Sequence, residues 1–393
     1  MRPLILSGCI LALALIALLA QATVRPGAAL ATPARVEARI QTWRAEGWTR
    51  TDFSRRAVDL SEIVSGGPPR DGIPPIDAPR FVAAAAASWL DPSEPVLVVQ
   101  RGDEARAYPL QILIWHEIVN DDLGGMPVAV TFCPLCNSAL VFERTLAAAG
   151  GPAVLDFGTT GKLRHSDLVM WDRQSESWWQ QLTGEAIVGR HTGARLRLLP
   201  APLVSFETFR RAFPRGRVLS RDTGHARPYG RNPYVAYDRP GNAPFLLKGR
   251  PDGRLPPMER VVALELGGEA RAYSYARLAE LGVVHDTLGG VPLAIFHRAG
   301  TRSALDGAEI ADSRDVGAAA VFVAERSGRR LTFEQVPEGF RDRETGSRWN
   351  LLGMAVEGTL KGERLKPVAH ANPFAFAWFA FRPESGLWAP NDP

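Results

Sequence analysis

The feature that most constrains the fold of this 393-residue chain is an internal repeat. Residues 104–140 resemble residues 269–305, and every matching block is displaced by the same 165 positions. A constant displacement over such a distance indicates two copies of one structural unit. The matching blocks are Glu104–Tyr108 with Glu269–Tyr273, Leu123–Gly125 with Leu288–Gly290, and Ser138–Leu140 with Ser303–Leu305.

A looser similarity extends the repeat toward the C-terminus. Asp172 and Trp179 match Asp342 and Trp349 at the same spacing, and a pair of glycines follows in both copies after a one-residue gap. We therefore predict two halves of similar fold, residues 71–240 and residues 241–393, separated within the Gly- and Pro-rich stretch 239–257. Residues 23–70 are predicted to form a helical or linker segment before the first half.

The local patterns predict many strands and few helices. Short apolar and β-branched runs bounded by turn residues indicate strands, and the main ones are expected over residues 95–100, 128–132, 139–143 and 260–266. Helices are expected over residues 35–48, 80–90 and 108–120. The predicted class is α+β and rich in sheet.

The N-terminus has the pattern of a secretory signal peptide. Met1 and Arg2 precede an apolar run that ends at Ala20, and Ala20-Gln21-Ala22 is a small-x-small cleavage pattern. We predict a signal peptide over residues 1–22 and a periplasmic or secreted location, whereas an uncleaved run would associate the chain with a membrane. Cleavage removes Cys9 and leaves two cysteines.

Those two cysteines form the most informative motif, Cys133-Pro134-Leu135-Cys136. A redox pair of the thioredoxin type opens a helix, but the following residues Val141 and Phe142 favour a strand. A Cys-Pro-x-Cys turn between two strands is typical of a metal site, and Asn137 can adopt the left-handed conformation that such a turn requires. The motif therefore favours metal binding over redox chemistry, and a local disulfide is the third interpretation.

The repeat serves as an internal control for this motif. At the common displacement of 165 positions, Cys133 corresponds to Arg298, Cys136 to Thr301 and His116 to Leu281. The second half keeps its predicted fold without these side chains, so we expect them to serve chemistry and not packing.

Two cysteines supply only half of a four-coordinate metal site. His116 is the first choice for a further ligand because it lies on the segment that leads into the hairpin, and His165 is the second. Asp167 and Met170 are weaker candidates. Thiolate and imidazole ligands in an oxidising compartment suit copper or zinc, and an incomplete ligand set leaves a position open for catalysis or metal transfer.

Other polar and aromatic segments have simpler interpretations. Lys162 follows Gly158-Thr159-Thr160-Gly161, which lacks the spacing of a phosphate-binding loop, although Lys162 lies close to Asp167 in the sequence. Trp178 has no counterpart in the second half and is a candidate for a binding wall. Tyr229 and Arg231 belong to a polar loop that is suited to capping a site or binding an anion.

Several of these motifs together resemble one bacterial and archaeal family, the domain of unknown function 3179 family. The resemblance rests on residues 115–120, on the two-cysteine turn, on residues 161–168 and on residues 229–234, and it extends from about residue 71 onward. It implies exported relatives that carry the Cys-x-x-Cys motif, but no activity. Relatives often carry Gly at the position of Asn137 and Asn at the position of His165, which weakens His165 as a ligand.

The sequence thus predicts an exported metal-binding protein in which Cys133, Cys136 and His116 hold copper or zinc. A periplasmic thiol–disulfide oxidoreductase that uses the cysteine pair is the first alternative. A small-ligand binding module with a structural disulfide is the second. Binding to nucleic acid is not expected, because the formal charge is only +4 and no basic block is interleaved with aromatic residues.

Overall fold

The computed structural model describes residues 34–147 and 151–390. The predicted signal peptide, and the membrane association that would follow from an uncleaved one, lie outside the described residues. Within the described part of the chain, none of the helices combines the length and the apolar character that crossing a membrane requires.

Of the residues that the structure describes, 38% lie in strands and 15% in helices, so the predicted sheet-rich α+β class is confirmed. The helices are α1 (Ala34–Ala45), α2 (Leu110–His116), α3 (Phe206–Ala212), α4 (Tyr275–Leu281) and α5 (Ala375–Phe381). The strands that precede residue 240 are β1 (Ile63–Ser65), β2 (Phe81–Ala83), β3 (Pro95–Arg101), β4 (Glu104–Pro109), β5 (Ile118–Leu123), β6 (Met126–Cys133), β7 (Ser138–Glu143), β8 (Thr145–Leu146), β9 (Ala153–Val154), β10 (Phe157–Arg164), β11 (Asp167–Asp172), β12 (Trp178–Gln180), β13 (Glu185–Val188), β14 (Leu198–Leu199), β15 (Leu203–Ser205) and β16 (Arg217–Leu219).

The strands that follow residue 240 form sheets of two to four strands. They are β17 (Val261–Leu266), β18 (Glu269–Ser274), β19 (Val283–Leu288), β20 (Val291–Arg298), β21 (Ala318–Val323), β22 (Glu325–Arg326), β23 (Arg329–Arg330), β24 (Phe333–Val336), β25 (Gly339–Asp342), β26 (Arg348–Trp349), β27 (Ala355–Glu357) and β28 (Gly386–Leu387).

The two halves run through the same elements in the same order. The series β3-β4-α2-β5-β6 recurs as β17-β18-α4-β19-β20, and from β4 to the end of β6 each boundary is displaced by 165 positions. Each half then adds a hairpin followed by two further antiparallel strands, β10 to β13 and β24 to β27. Each also closes with a parallel strand, since β16 pairs with β4 and β28 pairs with β18.

The displacement changes after β6, which corrects part of the comparison made from the sequence. The ladder partner of Cys133 is Ser138, whereas the partner of Arg298 is Ala318. The short turn 134–137 of the first half is therefore replaced by the long loop 299–317. Arg298 remains the counterpart of Cys133, but Thr301 is not the counterpart of Cys136, and residues 303–305 are not the counterpart of residues 138–140.

Two helix predictions also differ from the structure. The helix expected over residues 108–120 ends at His116, because Glu117 adopts a left-handed conformation and the chain continues as β5. The alanine-rich segment 80–90 contains β2 and one 3₁₀ turn (Ala84–Ala86), because residues 81–83 pair with β16. The pairing of β2 with β16 outweighs the helix propensity of alanine, which is below about 1 kcal/mol per residue.

Strands from both halves enclose a shared hydrophobic interior. The largest cluster of buried residues combines the faces of β5, β6 and β7 with residues of the second half, among them Leu305, Ala371 and Phe374. A second cluster joins Val96 and Phe209 of the first half to Phe296 and Phe322 of the second. The two-cysteine turn therefore lies beside the junction of the halves.

Candidate metal centre

The two cysteines occupy a tight turn between antiparallel strands, as the sequence predicts. Strand β6 ends at Cys133, a 3₁₀ turn covers Pro134–Cys136, and β7 begins at Ser138. Asn137 closes the turn with a φ of 53°, the left-handed conformation that Asn tolerates better than most residues. Both cysteines are buried and both are free thiols.

The second half fixes the position of this turn. The backbone N–H of Phe374 donates to the carbonyl oxygen of Cys136 at 2.9 Å. The side-chain amide of Asn137 donates to the carbonyl oxygen of Asn372 at 2.8 Å. Because these bonds tie the turn to the other half, the sulfur atoms are held in place by packing from both sides.

A long hairpin brings a carboxylate to the sulfur atoms. Strands β10 and β11 are joined by a two-residue turn in which His165 and Ser166 have φ values of 51° and 69°. Asp167 is the first residue after the turn. Cys133, Cys136 and Asp167 each offer one ligand atom, and these three atoms lie within 4.8 Å of one another. All three side chains are buried.

The corresponding hairpin of the second half is too short to carry such a residue. Phe157 pairs with Asp172 at the base of the first hairpin, and Phe333 pairs with Asp342 at the base of the second. The second hairpin ends with the pair Val336 and Gly339, whereas the first continues past a bulge to the pair Arg164 and Asp167. Asp167 therefore has no counterpart in the second half, and neither has Cys136.

Asp167 is positioned by hydrogen bonds to only one of its two oxygen atoms. Its Oδ2 accepts the backbone N–H of Leu182 at 2.9 Å and the side-chain amide of Gln180 at 2.6 Å. Its Oδ1 is buried without a hydrogen-bond partner among the described residues. Burial raises the pKa of Asp167 to about 6, although Leu182, Gln180 and the two cysteine thiols act to lower it.

The surroundings of the thiols are electronegative. Burial raises the pKa of Cys133, and the charges of Asp167 and Glu117 raise it further. Burial also raises the pKa of Cys136 well above its ordinary value. Reactive cysteines lie in exposed, electropositive surroundings that lower the thiol pKa, so this environment opposes a nucleophilic thiolate. A bound cation would reverse the effect, because a coordinating thiol loses its proton.

Glu117 is a site residue that the sequence analysis did not select. It caps α2 in a left-handed conformation, and its carbonyl oxygen accepts the N–H of Phe132, next to Cys133. Burial, together with the charge of Asp167, raises the pKa of its carboxyl group to about 8. The repeat held a signal for this residue, since the displacement of 165 positions places Gly282 at the same helix end.

A loop of residues 234–246 covers the site. The hydroxyl of Tyr237 donates to the carbonyl oxygen of Leu135 within the cysteine turn at 3.0 Å and accepts the N–H of Phe245 at 3.2 Å. The hydroxyl of Ser166, next to Asp167, donates to the carbonyl oxygen of Phe245. The loop thus bonds to both turns that supply ligand atoms. Burial raises the pKa of Tyr234, and the neighbouring charges of Glu117 and Cys133 add to the effect.

The structure does not place His116 in the group of Cys133, Cys136 and Asp167. Its Nδ1 is 2.7 Å from the carbonyl oxygen of Pro74, and its Nε2 is 2.6 Å from the hydroxyl of Tyr229. Both ring nitrogens are therefore engaged elsewhere, although the side chain is buried as expected. Burial lowers the pKa of His116 to about 4, so the ring is neutral at physiological pH.

The polar loop that was expected to cap a site supports the histidine. Tyr229 bonds to His116 and, through the same hydroxyl, lies 2.5 Å from the hydroxyl of Thr223. The Arg231 side chain is exposed and pairs with Glu309 at 3.0 Å, while its carbonyl oxygen accepts the indole N–H of Trp115. These contacts connect the loop to the end of α2.

His165, Lys162 and Trp178 contact other parts of the molecule. His165 forms the hairpin turn, with its ring 5.4 Å from that of Phe381. Lys162 is buried and pairs with Glu46 at 2.6 Å. Trp178 is covered by the segment before residue 70, whose rings Trp43, Trp48 and Phe53 lie 4.9, 5.1 and 5.4 Å from it. Trp178 thus packs in a hydrophobic core and does not form an open binding wall.

The fold and the site together define a sheet-rich α+β protein in which one series of elements recurs and which carries a buried cluster of two thiols and a carboxyl group. The chain matches the family described as Protein of unknown function (DUF3179) over residues 70–385, and it belongs to that family. No curated protein and no solved structure matches it. The family description gives no activity, so the function must be argued from the site.

Proposed function

We propose that the chain is an exported metal-binding protein whose site consists of Cys133, Cys136 and Asp167. The observation that carries the proposal is the convergence of two thiols and a carboxyl group within 4.8 Å in a buried position. Among the described residues, no arginine or lysine forms a hydrogen bond or ion pair with any of the three. These groups are costly to ionise in a buried position without a compensating positive charge, and a divalent cation supplies that charge.

The donor set favours zinc over copper. Zinc accepts cysteine sulfur and carboxylate oxygen in one tetrahedral site. Copper in its reduced form prefers soft sulfur ligands, and the carboxylate of Asp167 is a hard ligand. Three protein ligands leave a fourth position for another group of the chain, for water or for an incoming ligand.

The proposal is tested by metal analysis of the purified protein. We expect about one zinc per chain. The Cys133→Ser variant should lose the metal, whereas Arg298→Ser, the matched change at the same ladder position of the second half, should retain it. His116→Asn should also retain the metal, because the histidine nitrogens bond to Pro74 and Tyr229.

The same experiment separates the alternatives. Stoichiometric copper in place of zinc would contradict the choice of metal but not the site. Protein that is free of metal under every growth condition, with a cysteine pair that cycles between dithiol and disulfide, would overturn the proposal in favour of the oxidoreductase.

A further inference from the structure

Glu117 occupies a backbone position that suits glycine. At the end of α2 its φ is 58°, and at the equivalent end of α4 Gly282 has a φ of 70°. This region is unfavourable for residues with a Cβ atom, whereas glycine adopts it readily. The second half therefore shows the residue that the backbone prefers, and the first half departs from it.

The side chain of Glu117 adds a second cost. The residue is only 7% exposed, and its carboxyl group makes no hydrogen bond or ion pair among the described residues. The charge that acts on it is that of Asp167, which has the same sign. A buried carboxyl group without a partner destabilises the folded protein when it is ionised.

An independent observation shows that the neighbouring site is prepared for a ligand. Asp167 is fully buried, and its Oδ1 has no hydrogen-bond partner among the described residues. Buried polar atoms in folded proteins are nearly always paired, so an unpaired carboxylate oxygen next to two thiols indicates a missing partner. A cation accounts for both Oδ1 of Asp167 and the unpartnered carboxyl group of Glu117.

We propose that Glu117 is the fourth donor of the metal site and completes a set of two sulfur and two carboxylate ligands. This inference rests on the proposed function. The carboxyl group lies outside the group of atoms within 4.8 Å, so the side chain turns toward the cation when the cation binds. A glutamate side chain has three rotatable bonds and can make this movement while the backbone stays in place.

The inference explains why the first half accepts an unfavourable backbone conformation. Strained residues and unpartnered charges are common at functional sites, where binding of the ligand offsets their unfavourable free energy. Glycine at this position would relieve the backbone and remove the buried carboxyl group. The metal-free protein should therefore become more stable when Glu117 is replaced, while its affinity for metal falls.

The test compares Glu117→Gln and Glu117→Gly with the wild-type chain. Metal affinity is measured by competition with a chromophoric chelator, and coordination is followed through the visible absorption of the Co²⁺-substituted protein. We expect a loss of affinity of about 10-fold to 100-fold in both variants. The Co²⁺ spectrum should change because water replaces a carboxylate. Without metal, both variants should have a higher melting temperature than the wild type.

The outcomes separate this inference from the proposed function. If Cys133→Ser loses the metal but both Glu117 variants keep the wild-type affinity and spectrum, the fourth-donor assignment is wrong and the metal site stands. If the wild type binds no metal, both proposals fall. If affinity drops but the metal-free variants melt at lower temperature than the wild type, Glu117 is a packing residue and the assignment also fails.

Discussion

The cysteine turn of the first half and the corresponding loop of the second half begin at the same point of the same ladder and then diverge. Strand β6 ends at Cys133 and β20 ends at Arg298, with equivalent hairpins before them. Beyond that point the first half has a tight turn and a longer second hairpin, and the second half has a long loop and a shorter hairpin. Ahead of these strands, the first half has Glu117 at the end of α2 where the second half has Gly282 at the end of α4. Each of these differences gives the first half a buried thiol or carboxyl group that the second half lacks.

The features that the halves share are those of a scaffold. In both halves an arginine and a tyrosine of one strand bond to an aspartate of the next, Arg106 and Tyr108 to Asp121, and Arg271 and Tyr273 to Asp286. These contacts hold the two strands against each other in the same way in each half. The comparison therefore separates residues that hold the fold from residues that were placed for chemistry.

Among the variants that test this comparison, we expect Asp167→Asn to have the largest effect on metal affinity. Asp167 has no equivalent in the second half and supplies a charged oxygen to the proposed metal. Its loss should therefore lower metal affinity by at least about 100-fold. Asp172→Asn is the matched control, because Asp172 is an equally buried aspartate at the other end of β11. Chelator competition should show weak binding for the first variant and unchanged binding for the second.

A second, smaller effect should appear in the pH dependence of the metal-free protein. Burial raises the pKa of Asp167 to about 6 and that of Glu117 to about 8, above the ordinary values of 3.8 and 4.5. The folded chain thus holds these protons more tightly than the unfolded chain does. Their contribution to stability is fully present below about pH 4 and is lost as the pH rises toward 8, by on the order of a few kcal/mol.

Chemical denaturation of the metal-free protein at pH 5 and pH 8 measures this loss. Burial also raises the pKa of Glu94 to about 7, so the diagnostic quantity is the difference between wild type and Glu117→Gln. We expect the variant to lose less stability over this range. Metal should reverse the trend, because affinity rises as the ligands lose their protons. Identical pH profiles for wild type and variant would contradict the environment described for Glu117.

The smallest effect tests the scaffold. Asp172 and Asp342 accept the indole N–H of Trp179 and Trp349 at 2.9 and 2.8 Å, and each also accepts a backbone N–H at 2.6 Å. Changing either aspartate to Asn should therefore cost a similar free energy of unfolding, about 1–3 kcal/mol. Urea denaturation checks this, and costs that differ several-fold would show that the two halves are not equivalent in structure.

The repeat in the sequence predicted much of the fold because strands, tight turns and helix ends depend on local patterns. The cysteine hairpin and the left-handed Asn137 followed from turn chemistry alone. The alanine-rich segment 80–90 was predicted wrongly because its strand β2 is determined by pairing with β16, more than a hundred residues away.

The candidate site was only partly predictable for the same reason. His116 was selected because it precedes the hairpin in the sequence, but the end of α2 directs its ring toward Pro74 and Tyr229. Asp167 reaches the cysteines because β10 and β11 continue past a bulge, and no local pattern fixes that length. Glu117 could have been found, because the repeat aligns it with a glycine.

The most direct test of the account is the X-ray absorption spectrum of the metal in the purified protein. We predict zinc with two sulfur ligands at about 2.3 Å and oxygen ligands at about 2.0–2.2 Å, without the multiple scattering of an imidazole ring. A first shell without sulfur, or one that contains a histidine ring, would contradict the claim that the first half differs from the second by a cysteine–carboxylate metal site.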